Sequence, residues 1–213
     1  MHNIGGVEKL KNREENLGGL KYILAGLTLM AIGIAAVEII CLFKIITILN
    51  WAKMAVEAIG WILVIVGLFM LKNTRVEFKR SCILSVLGIV MLAGSGLLAF
   101  MYYRNGLGET AFIDIKVMFA AYLADLSMIG VYFLVVRGMG QLAAKAGNGK
   151  LGANSIRLTR MAVAAILVSM VLVPFSYALP TVLKFIVGIL AIALGLFAEI
   201  SMIIYSNQSY KSI

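Results

Sequence analysis

At 213 residues, with 62% hydrophobic and only 14% charged side chains, this chain is too apolar to fold around one aqueous core, because it lacks the polar cover a water-facing surface needs. Its formal charge of +9 would suggest nucleic acid for a soluble domain. Here the basic residues cluster between apolar runs, a membrane-topology pattern that argues against a nucleic-acid partner.

Residues 1–20 read as a polar, mixed-charge cytoplasmic tail. It is too polar for a signal peptide, and the apolar run behind it is longer than a signal's hydrophobic stretch. The first span is therefore expected to remain as an uncleaved anchor. A transmembrane domain over 21–206 holds six spans. Span 1 covers 22–43, interrupted late by Glu38. Span 2 covers 53–71, with Trp51 and Trp61 near its first half, and a polar cluster from Lys72 to Arg80 follows. Span 3, 81–102, carries no charge after Arg80. Span 4, 111–136, contains Asp114, Lys116 and Asp125. A Gly/Ala-rich basic loop from Arg137 to Arg160 is expected next, with a short surface helix around Gln141 to Ala146. Span 5 covers 161–178 and span 6 covers 181–205, with Pro174 and Pro180 marking the boundary between them. Residues 207–213 form a second cytoplasmic tail.

The fold class is all-α: a polytopic membrane protein, a compact bundle of about six transmembrane helices. The runs are continuously apolar, whereas barrel strands alternate, and helices satisfy their own backbone in lipid. The spans use most of the chain, which leaves no separate soluble domain. The location is the cell membrane, multi-pass.

Orientation follows from the basic residues. With both termini inside (N-in, C-in), the cytoplasmic segments hold 14 of the 19 Lys and Arg residues, leaving Lys44, Lys53, Arg104, Lys116 and Lys184 near the outer face. That asymmetry is the positive-inside signal.

Intramembrane acids are costly and normally face protein or water, so Glu38, Glu57, Asp114, Asp125 and Glu199 are the candidate site residues. Asp125 lies near the midplane of span 4. Asp114 precedes it by about three turns and should lie on nearly the same face, with Met118, Ala121 and Tyr132 completing the stripe and Tyr122 one turn away. Asp125 reads either as a relay or substrate contact in a polar crevice, or as a buried aspartate bonded to neighbouring hydroxyls. Lys53 and Glu57 are spaced to pair. Glu38 and Glu57 sit toward the outside and Glu199 toward the inside, a spread that suits a route through the bundle.

Other features exclude more than they assign. Cys41 and Cys82 fall near opposite membrane faces, too far apart for a disulfide, and His2 lies in a polar tail. The segment Gly147 to Gly152 lacks the residues of a phosphate loop. No zinc-protease, serine-nucleophile, haem or lipidation signature occurs. The expectation is a non-enzyme without metal or cofactor. Small residues through the spans allow close helix packing, and GWILVIVGLF from Gly60 resembles GILAIALGLF from Gly188. Two readings of function result. One is a small secondary transporter or permease moving a small solute or ion past Asp125. The other is an accessory, assembly or regulatory subunit of a larger membrane complex. Expected partners are the lipid bilayer and either a second copy or another membrane protein.

Overall fold

The computed structural model describes residues 18–33, 35–36, 40, 47–107, 114–176 and 179–212. Within them the chain forms α1 (Gly18–Gly33), α2 (Thr47–Leu71), α3 (Val76–Tyr102), α4 (Ile115–Lys145), α5 (Gly149–Ser176) and α6 (Thr181–Lys211). Helices α2 to α6 are each long and apolar enough to cross a membrane. Large apolar side chains remain outward on them, including Phe69, Ile83, Phe119, Val171 and Phe197. In water such a surface would aggregate; in hydrocarbon it costs nothing. The protein is a multi-pass helical membrane bundle.

The helices extend past the expected spans, because sequence hydropathy marks the lipid-embedded stretch rather than the hydrogen-bonded one. With 31 residues, α4 is about 46 Å long, more than the roughly 30 Å hydrocarbon core. It runs through Lys145, so the surface helix expected at Gln141 to Ala146 belongs to α4. Gln141 is tied to α3, its Nε2 donating to Glu77 Oε1 at 3.0 Å. The basic stretch after it is also helical, since α5 begins at Gly149. Between α4 and α5 lies a tight stop-and-start. The Gly147 N–H donates to the Ala144 carbonyl at 3.1 Å, and that of Asn148 to Ala143 at 2.9 Å. This pairing closes a helix with a left-handed residue, and Gly147 supplies it at φ +100°. Asn148 Oδ1 then accepts from the Leu151 N–H at 3.3 Å, capping α5. The end of span 1 at 43 lies outside the described residues.

Helix α4 is the most buried of the five long helices. It packs on α3, α5 and α6, and its fully buried Tyr132 donates to the Leu27 carbonyl of α1 at 3.4 Å. Helices α1 and α2 meet backbone to backbone. A Cβ at Gly26 would stand 2.6 Å from the carbonyl oxygen of Gly60, and one at Gly19 would stand 2.8 Å from that of Gly67. Both pairs are separated by seven residues on each helix and run in opposite order, so the hairpin is antiparallel with a heptad-spaced seam. With no water to drive association, such close approach is how membrane helices gain packing energy.

Candidate functional site

Helix geometry brings the polar residues together. On α4, Met118, Ala121, Tyr122 and Asp125 are spaced three or four apart and form one face. On α2 the same spacing aligns Asn50, Lys53, Met54 and Glu57. These two faces, with Leu92 and Ser95 of α3 and Ser169 and Met170 of α5, enclose a cavity of about 250 Å³. A smaller cavity of about 70 Å³ adjoins it, lined by Ala31, Ala35, Met128 and Ile166 and by the α6 face Ile192, Gly195, Leu196 and Glu199. Lys53, Asp125, Ser169 and Met170 line both. Asp125 thus stands where the two spaces meet, on the central helix.

Glu57 and Asp125 each lie about 15 Å along their own helix, and Glu199 about 27 Å along α6. Glu57 and Asp125 therefore sit at a similar level in the first halves of α2 and α4, and Glu199 lies deeper. Glu57 is only 7% exposed, a costly place for a carboxylate in lipid. Its oxygen lies 3.7 Å from Lys53 Nζ, so the helical pair forms, longer than the usual charge-assisted hydrogen bond. Among the described residues lining the two cavities, one ammonium stands against three carboxylates.

The hydroxyls have defined roles. Ser95 is buried and donates to the Val117 carbonyl at 3.2 Å, fixing α3 against the first turn of α4 beside the larger cavity. Ser169 approaches α6 at Gly195, where a Cβ would meet its Oγ at 2.8 Å. Gly67 and Gly195, which occupy equivalent places in the two similar decapeptides, each face the helix that precedes their own.

Of the residues expected from sequence, Glu57, Tyr122, Asp125 and Glu199 come together. Asp114 does not. It is the N-cap of α4, its Oδ1 accepting from the Lys116 N–H at 2.9 Å, and it lines neither cavity. Aspartate at a helix start satisfies an orphan donor, and the stripe shared with Asp125 stops at Met118. Glu38 lies outside the described residues. The sequence reading overlooked Asn50, Ser95 and Ser169. Asn50 was within reach, since Asn50, Lys53 and Glu57 repeat at helical spacing; Ser95 and Ser169 are single serines whose direction only packing reveals. Among the described residues, no three His, Cys, Asp or Glu side chains gather as a metal site would need.

No protein-family model matches the chain, no curated protein matches it in sequence, and no solved structure matches it.

Proposed function

We propose that this protein is a small secondary transporter or permease for a small cationic solute or ion, with Asp125 in its path. The observation that supports the reading best is that Asp125 lines both adjoining cavities, with Glu57 on one side and Glu199 on the other. Two carboxylates at one level and a third deeper offer a cation successive partners, so no single position need bind it so tightly that it cannot leave. Lys53 is a tethered cation beside Glu57. It limits the negative charge of the empty site and yields a carboxylate when solute enters. We place both termini in the cytoplasm, on the distribution of the basic residues. The larger cavity then lies toward the outer ends of α2 and α4.

Flux into proteoliposomes tests the reading. A proton or sodium gradient should drive uptake of a small cation, and Asp125→Asn should abolish it. Gradient-driven uptake that continues unchanged in Asp125→Asn would overturn the role given to this residue.

A second reading, an accessory subunit, draws on a different surface. An open apolar groove of about 600 Å³, lined by Leu24, Ala25, Thr28, Ile32, Val56 and Ile203, runs between α1, α2 and α6 and is wide enough to accept side chains of another helix. Stoichiometric co-purification of a second membrane protein in mild detergent would favour this reading, and a self-only particle would count against it.

A further inference from the structure

A separate groove lies between the start of α5 and the end of α6, with a volume of about 430 Å³. Its α5 wall passes from Asn154 through Arg157 and Leu158 to Met161, and its α6 wall from Gln208 through Tyr205 and Ile204 to Ser201. Polar groups predominate at the end of the bundle and apolar ones toward its middle. Arg157 lies about 12 Å from the start of α5. Helices of 28 and 31 residues exceed what the hydrocarbon core requires, which puts Arg157 at the headgroup boundary.

The described charge on the elements at this end is mainly basic. Arg137, Lys145, Lys150, Arg157 and Arg160 fall along the end of α4 and the start of α5, a stretch with no acidic residue, and Glu77 of α3 is tied to Gln141. Arg157 is exposed, and its planar fork suits two phosphate oxygens. Below it, Met161 and Ile204 are 62% and 51% exposed, an apolar track continuous with the arginine. The floor is fixed by Tyr205, whose hydroxyl donates to the Leu151 carbonyl, and by Ser155 and Thr159, which turn inward and are buried.

We propose that this groove holds one anionic phospholipid, with its phosphate on Arg157 between Asn154 and Gln208 and an acyl chain along Met161 and Ile204. A free phosphate would use the arginine and leave the apolar half unfilled. Basic clefts between membrane helices recognise anionic headgroups through the same combination. The site is independent of the path through Asp125.

Native mass spectrometry of the full chain, titrated with phosphatidylglycerol or phosphatidylcholine in mild detergent, tests this. The first phosphatidylglycerol should bind about tenfold more tightly than phosphatidylcholine, a difference of about 1.4 kcal/mol. Arg157→Gln should erase that preference, Arg157→Lys should keep part of it, and Arg160→Gln, whose residue lies outside the groove, should leave it intact. Millimolar inorganic phosphate should not displace the lipid. Equal retention by Arg157→Gln and the parent overturns the proposal. Displacement by phosphate, or equal loss in Arg160→Gln, also overturns it, by revealing a free-anion site or a diffuse charge effect.

Discussion

Lys53 Nζ stands 3.7 Å from Glu57 Oε1, one turn along α2, and both residues line the cavity that Asp125 borders from α4. Removing one member of a fully buried pair typically costs about 3–5 kcal/mol and removing both is far milder; the cost here is smaller, since the Lys53 side chain is 27% exposed. Lys53→Met should therefore lower the unfolding temperature in detergent, and Lys53→Met/Glu57→Met should recover most of the loss. Identical melting of the single and double variants would show that the pair contributes nothing to stability.

Asp125 and Asp114 share a helix but sit in different surroundings, so their amides should behave differently. Asp125→Asn is expected to reduce gradient-driven uptake by at least about tenfold, equivalent to 1.4 kcal/mol, with the protein still folded by circular dichroism. Asp114→Asn should change neither uptake nor stability, since asparagine caps helices as well as aspartate does. Asp114→Ala should cost about 1 kcal/mol of stability and leave uptake alone.

The glycines divide by what faces them. Gly26→Ala forces a methyl against the Gly60 carbonyl, and should destabilise the bundle by about 1–3 kcal/mol. Among the described residues, nothing lies within 4 Å of where a Gly94 Cβ would stand, so Gly94→Ala should raise stability by up to about 1 kcal/mol through helix propensity alone. Thermal unfolding of the two variants side by side checks both signs, and a stable Gly26→Ala would contradict the backbone seam.

Gly195 borders the smaller cavity opposite Ser169. Gly195→Ala should slow uptake severalfold, because its methyl would stand 2.8 Å from Ser169 Oγ. Gly195→Ala/Ser169→Ala should recover the rate if crowding is the cause, since the nearest remaining atom would be Ser169 Cβ at 3.5 Å. A double variant as slow as the single one would show that relieving the contact with the Ser169 hydroxyl does not restore uptake.

Much of this architecture was legible in the chain. Runs of apolar residues locate the helices because the bilayer selects for length and hydrophobicity, and these are local properties. The α4 face of Met118, Tyr122 and Asp125 follows from helical spacing alone. The meeting of Glu57, Asp125 and Glu199 does not, because it depends on how α2, α4 and α6 rotate against one another. Asp114 misleads for a related reason: a hydropathy window blurs the boundary at which an acid stops being embedded and becomes a cap. The early start of α5 was hidden by polarity. Gly152, Ser155, Thr159, Ala162 and Ile166 recur along one side of the helix, and Ser155, Thr159, Ala162 and Ile166 are buried, but two of these four are hydroxyl residues in a basic stretch that reads as a loop.

The contact between α1 and α2 also bears on how this sequence can drift. Where main chain meets main chain, the constraint falls on a few positions that must lack a side chain, and neighbouring apolar residues such as Ile32, Ile59 and Phe69 face outward and are free to exchange. Overall similarity would then decay quickly between distant descendants of one ancestor. What would persist is the mirrored spacing, with Gly19 and Gly26 on one helix answering Gly67 and Gly60 on the next. A hairpin carrying that arithmetic, followed by a central helix with an embedded aspartate, is the pattern by which remote kin of this protein should be sought.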